Sequence, residues 1–150
     1  MKDTLLLIVD DEARFLKTTA ALLEKRDCSV FTAASGKDAL EILDQRKIDV
    51  VILDVKMPGM DGVETLKHMK KKYPLVEVIM LTGHSTTESA VEGLKLGAFD
   101  YLIKPCDLDI ILEKVKQAHE KKMSTEEKIT HAKIGKIVRH PSRVFDQNEG

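Results

Sequence analysis

Tryptophan is absent from this chain, and aromatic residues make up only 4% of it. With so few rings to stack on bases or sugars, a single-stranded nucleic-acid platform or a sugar site is disfavoured. Cysteine is nearly missing as well. Cys28 and Cys106 form no disulfide framework and have no metal-binding spacing, which suits a reducing compartment. Neither sign of charge dominates: 24 Lys and Arg stand against 25 Asp and Glu, a net charge of -1. No bulk electrostatic case exists for nucleic acid or an anionic membrane surface. No apolar run is long enough to cross a bilayer, and the start lacks the pattern of a secretory signal, so a cytoplasmic location is expected. Five histidines show no ligand spacing. No glycine-rich phosphate loop follows the first apolar run, which argues against a nucleotide-binding fold of that kind.

What is present is an ordinary globular composition, 43% hydrophobic and 33% charged over 150 residues, enough for one domain with its own core. The chain is organised around Val50-Val51-Ile52-Leu53-Asp54. Four unbroken apolar residues read as a strand buried on both faces, as in a parallel sheet. A bare carboxylate is costly to bury, so Asp54 belongs at the strand's end. The following Val55-Lys56-Met57-Pro58-Gly59-Met60-Asp61-Gly62 is loop chemistry. A second such run, Leu5 to Val9, ends in Asp10-Asp11-Glu12. Three more strands are expected at 29–34, 76–81 and 99–103, the first of them near an edge.

Helices are expected between and after these strands. Their inward faces carry Leu16, Ala20 and Leu23; Ala39, Leu40 and Leu43; Val63, Leu66 and Met69; Ala90, Val91 and Leu94; and Leu108, Ile111, Leu112 and Val115. Ser35, the box Ser85-Thr86-Thr87-Glu88 and Asp107 are candidate caps. The Lys70-Lys71-Lys72 run reads as a solvated helix end. Strand and helix alternate throughout, which predicts an α/β fold with right-handed crossovers and helices on both faces.

Four strands thus end in Asp10-Asp11, Asp54, Thr82 and Lys104. Singly, each residue except Asp54 reads best as a cap, a turn residue or a solvated side chain. Together on one rim they form a constellation. If the first and third strands are neighbours, three carboxylates crowd together and call for a cation. Oxygen-only ligands at a wet rim suit Mg²⁺. An aspartate nucleophile, a metal and an ammonium are the parts that phosphoryl transfer needs.

These motifs resemble the receiver domain of bacterial two-component response regulators, over about residues 4 to 120. The residues that carry the likeness are Leu7-Ile8-Val9-Asp10-Asp11-Glu12, Leu53 to Gly62, Leu81-Thr82-Gly83-His84 and Tyr101-Leu102-Ile103-Lys104-Pro105. The resemblance implies a doubly wound, flavodoxin-like three-layer sandwich with a five-stranded parallel sheet in the order 2-1-3-4-5. It implies that Asp54 accepts a phosphoryl group from a sensor histidine kinase or a phosphotransfer protein. It assigns Mg²⁺ to Asp10, Asp11, Asp54 and the backbone carbonyl of Lys56, with Asp10 acting largely through water. Lys104 would pair with the phosphoryl group, and Thr82 and Tyr101 would form the switch pair. It also implies a cis Lys104–Pro105 bond. Lys56 and His84 stand where the family varies and tunes phosphoryl lifetime.

The expected role is a signalling switch and not an enzyme, its only catalysis being its own Mg²⁺-dependent phosphorylation and dephosphorylation. The competing class is a phosphatase-like hydrolase using an aspartyl phosphate. Asp10-Asp11-Glu12 imitates its motif weakly, the chain lacks a cap domain, and Asp54 would have no role. Residues 1–120 are expected to be the receiver and 121–150 a helical or disordered tail or linker. Ser124-Thr125-Glu126-Glu127 offers a box for either a separate helix or a continuation of the last one. The expected partners are the kinase, an effector protein and a second copy bound through the fourth helix, fifth strand and fifth helix. No direct contact with nucleic acid or membrane is expected.

Overall fold

The uninterrupted apolar runs form the strands of one parallel sheet. In the computed structural model, which describes residues 4–83 and 87–139, the elements follow in strict alternation. They are β1 (Thr4–Val9), α1 (Ala13–Glu24), β2 (Cys28–Ala33), α2 (Gly36–Gln45), β3 (Val50–Leu53), α3 (Gly62–Lys72), β4 (Glu77–Thr82), α4 (Thr87–Lys95), β5 (Asp100–Ile103) and α5 (Leu108–Arg139). The sheet order is β2-β1-β3-β4-β5, as the resemblance implies. β3 and β4 are buried along their whole length. β2, at the edge, is only partly covered.

Because side chains alternate across a strand, the sheet builds two cores. Leu7, Val9, Val51, Leu53, Val78 and Met80 pack with Ala39 and Leu43 of α2 and Leu66 and Met69 of α3. Leu6, Ile8, Val50, Ile52, Ile79 and Leu81 pack with Leu16 and Leu23 of α1 and Ile111, Leu112 and Val115 of α5. β1 pairs with β2 on one side and β3 on the other. The chain therefore reverses direction across the sheet between β1 and β3, and the crevice beyond their carboxyl ends is the switch point where ligands bind in such folds.

Local chemistry places the helix starts. The Ser35 hydroxyl accepts from the Asp38 amide at 3.1 Å, and Asp61 Oδ1 accepts from the Glu64 amide at 2.9 Å. Ser85 and Thr86 of the expected capping box lie outside the described residues, as does His84.

Two expectations change, and a third resolves between its alternatives. Val91 and Leu94 of α4 are not inward; they are 44% and 48% exposed. The close approach is made instead by Gly93, where a Cβ would lie 2.6 Å from Met80 Sδ, so the helix rests on its smallest residue and turns its larger apolar side chains out. Lys70 is half-buried, not a freely solvated lysine: its ammonium donates to the carbonyls of Pro74 at 2.8 Å and Val76 at 2.9 Å, closing the turn after α3. Burial lowers its pKa. Of the two readings of the Ser124 box, the continuation of the last helix is the one that forms: α5 runs unbroken from Leu108 to Arg139. Thr125 Oγ1 donates to the Lys121 carbonyl one turn back, at 2.9 Å, the bond a mid-helix threonine makes.

α5 is anchored at the base of the sheet by a contact between residues far apart in sequence. Lys122 Nζ donates to Asp49 Oδ1 at 2.8 Å, and both side chains are buried. The other carboxylate oxygen of Asp49 accepts from the Leu5 amide at 2.9 Å and lies 3.8 Å from His119 Nε2. Burial alone would raise the Asp49 pKa, but the Lys122 and Leu5 hydrogen bonds outweigh it and the net shift is downward.

Candidate functional site

Backbone hydrogen bonds carry the sheet's geometry one residue past the strands and so set the site residues in place. The Asp54 amide donates to Val9 O at 3.0 Å, the Asp10 amide to Ala33 O at 3.1 Å, and the Lys104 amide to Thr82 O at 2.8 Å. The Lys104–Pro105 bond is cis. The loop after β3 is drawn tightly back under Asp54. The Gly62 amide donates to Val55 O at 2.6 Å. A Cβ on Gly62 would stand 2.0 Å from the Asp54 carbonyl oxygen and 2.6 Å from Val55 Cα. Only glycine fits there, a role its place in a loop motif hides.

Asp10, Asp11 and Asp54 converge: each offers a carboxylate oxygen, and the three oxygens lie within 4.8 Å of one another. Asp10 and Asp54 are almost wholly buried, at 1% and 4% exposure, while Asp11 is exposed. Asp10 Oδ1 accepts from the Glu12 amide at 2.9 Å. Burial, reinforced by the neighbouring Asp54 charge, raises the Asp10 pKa despite its hydrogen bond from Lys104. Asp54 Oδ1 is buried with no hydrogen-bond partner. A buried, unpartnered carboxylate oxygen costs stability and is the kind of exception that marks a site made for something else. The hard oxygen donors and this orphaned oxygen fit a small divalent cation such as Mg²⁺. A cleft of about 440 Å³ opens beside them, lined by Asp11, Glu12, Asp54, Lys56, Met57, Pro58 and Asp61.

Lys104 lies on the same rim but not on Asp54. Its ammonium donates to Asp10 Oδ2 at 2.5 Å and to Glu12 Oε1 at 3.1 Å. Burial alone would lower its pKa, and these two bonds reverse that, so the net shift is upward. Glu12 and the ring of Phe15, 4.0 Å from Lys104 Nζ, are neighbours that sequence reasoning missed. Their only signal was proximity in sequence to Asp10. Thr82 ends β4, fully buried. Tyr101 pairs with Met80 on the neighbouring strand, which puts it on the same face as Thr82, two positions earlier. It is half-buried, with its hydroxyl 3.5 Å from Ser89 Oγ.

Residues 6–116 match the family model of the response regulator receiver domain. This chain belongs to that family. The receiver is 45% identical over 104 residues to the transcriptional regulatory protein ZraR of Escherichia coli O157:H7, covering 69% of this chain and 24% of that protein. It is 41% identical over 116 residues to a putative NtrX-like response regulator of Rickettsia bellii, covering 76% of this chain and 24% of the relative. The receiver spans about a quarter to a third of the length of such relatives (24% and 32% for two ZraR proteins). Among solved structures, a CheY-like receiver domain from Methanospirillum hungatei JF-1 superposes with a TM-score of 0.79 at 31% identity, covering 83% of this chain and 99% of that one. Phosphorylation on an aspartate is the general mechanism of two-component receivers, and Mg²⁺ held by acidic residues is their general cofactor. No helix among the described residues is long and apolar enough to cross a membrane.

Proposed function

We propose that Asp54 is the phosphoacceptor. The observation that carries this reading is Asp54 Oδ1, buried and unpartnered, on a residue that offers a carboxylate oxygen within 4.8 Å of those of Asp10 and Asp11. A carboxylate oxygen of Asp54 attacks the phosphorus of a phosphohistidine on a sensor kinase or phosphotransfer protein. The P–N bond breaks, and its electron pair returns to the imidazole, which takes up a proton. Asp10, Asp11, Asp54 and the Lys56 carbonyl would hold Mg²⁺. Bound there, the metal supplies charge neutralisation for the phosphoryl oxygens. Lys104 pairs with the phosphoryl group, and water later hydrolyses the acyl phosphate at a rate set by the same residues. A cytoplasmic setting follows from the kinase partner.

The phosphoryl group adds negative charge and three acceptor oxygens. The Thr82 hydroxyl moves toward it, and Tyr101 turns toward the space this vacates. Such interactions, absent in the resting state, are what shift the equilibrium. The output face is α4, β5 and the start of α5, where Val91, Leu94, Ile103 and Ile110 stand exposed. This face would bind an effector or a second copy. Residues 1–120 act as the receiver and 121–150 as a tail or linker whose first turn is still seated on the receiver through Lys122 and Asp49.

Acetyl phosphate labelling tests the assignment. Asp54→Asn should lose the label entirely, and undiminished labelling would refute it. Beryllofluoride with Mg²⁺ should change amide hydrogen exchange in α4 and β5 of the wild type. A face that exchanges identically with and without it has no part in the output.

A further inference from the structure

Glu12 is the acid at the rim that phosphoryl transfer leaves without a task. It occupies the N-cap position of α1 yet makes no side-chain capping bond, although a capping acid would be stabilising there. Its carboxylate goes to Lys104 instead, at 3.1 Å. Phe15, three residues on, presents its ring to the same ammonium. An ammonium is drawn to a ring face by the aromatic quadrupole. With Asp10 these groups leave the Lys104 side chain 15% exposed. Asp10 is the buried partner and Glu12, at 66%, the exposed one.

We propose that Glu12 and Phe15 are positioning residues for Lys104: they form a resting seat for its ammonium, from which the lysine is drawn only when a phosphoryl group on Asp54 out-competes them. The proposal rests on the reading that Asp54 accepts the phosphoryl group and Lys104 pairs with it. Lysine carries one compact charge on a flexible stem. Turning that charge toward the phosphoryl oxygens draws it off the Glu12 carboxylate and the Phe15 ring. A ligand's apparent affinity falls by the fraction of molecules held in the other state. Glu12 therefore lowers the receptivity of the site. Being mostly exposed, it does so by a modest factor, about two- to five-fold, as expected for an exposed ion pair.

The test uses the full chain and beryllofluoride at saturating Mg²⁺, titrated by calorimetry. Glu12→Gln, which keeps the shape and removes the charge, should tighten beryllofluoride binding about two- to five-fold. The same substitution in a Lys104→Met background should change nothing. Equal affinities for Glu12→Gln and wild type, or a gain that persists without Lys104, would overturn the role of Glu12. If Lys104→Met binds no beryllofluoride, the Lys104 ε-methylene resonance decides. It should shift in Glu12→Gln without ligand, and an unmoved resonance overturns the seat. In wild type that resonance should be displaced upfield by the Phe15 ring, and an undisplaced one removes Phe15 from the seat. Wild-type protein that binds no beryllofluoride would instead refute the Asp54 reading.

Discussion

β3 is four residues long and has an aspartate just beyond each end. Asp49, at the base, and Asp54, at the rim, are both almost fully buried, yet their surroundings are opposite. Asp49 has a buried ammonium on one oxygen and a backbone amide on the other. Glu77 beside it on the neighbouring strand meets Lys121. Asp54 has an oxygen with no partner, and the nearby lysine is bound to Asp10 and Glu12. The same residue type is thus neutralised by the fold at one end and left with an unpartnered oxygen at the other. Burial alone does not distinguish the two carboxylates; the presence or absence of a partner does.

The contrast breaks most visibly if the base is disturbed. Lys122→Met would leave Asp49 buried without its main partner, and removing one member of a buried ion pair typically costs about 3–5 kcal/mol. Urea unfolding should show that loss, while the folded fraction still takes label from acetyl phosphate. Asp54→Asn should cost no stability, since it removes a like charge from beside Asp10. Equal destabilisation by the two substitutions would mean the ends do not differ.

Gly62→Ala probes the rim by geometry, with every charge unchanged. The added methyl would meet the Asp54 carbonyl and Val55 Cα, and overpacking of this kind costs about 1–3 kcal/mol. Labelling of Asp54 should fall with it, because the backbone that carries the carboxylate has to move. Full labelling in a destabilised protein would uncouple the loop from the site.

The two ends should also respond to pH with opposite sign. Asp49 has a folded pKa below its unfolded value. Its stabilisation is present above the ordinary carboxylate value of about 3.9 and is lost as pH falls through the lower, folded one. Asp10 has a raised folded pKa, so its stabilisation is present below that ordinary value and is lost as pH rises through the raised one. Asp49→Asn should therefore flatten the acid limb of a stability–pH curve. Asp10→Asn should raise stability most on the neutral side. Curves that change alike in both variants would contradict the opposite shifts.

The smallest effect is expected from the far part of α5. Beyond Glu126 its side chains are exposed through Ile134, and exposed positions contribute within about 0.5 kcal/mol each. A chain ending after Glu126 should keep its labelling rate and nearly all its stability. A large loss on unfolding would place the tail within the folding unit.

The rim was legible in the sequence because each strand carries its chemistry at its own end. Asp10, Asp11, Asp54, Thr82 and Lys104 directly follow or close apolar runs, and a parallel sheet delivers such ends to one side. The base was not legible. Asp49 precedes a strand and looks like a loop acid, and its partner is 73 residues away in a helix that reads as a polar tail. The outward turn of Val91 and Leu94 was hidden for a related reason. Helical periodicity says that a face is apolar, but not whether a neighbour covers it.

What the sequence determined by itself was the alternation of elements, the sheet class and the set of polar residues at strand ends. These follow from local periodicity and from the cost of burying a charge within a strand. Only the tertiary structure decided the pairings: that Lys104 meets Asp10 and Glu12, 94 and 92 residues away, and that Lys122 meets Asp49. A charge is satisfied by whatever group the fold brings within about 3 Å. Which group arrives depends on how helices seat on the sheet, and no local pattern encodes that.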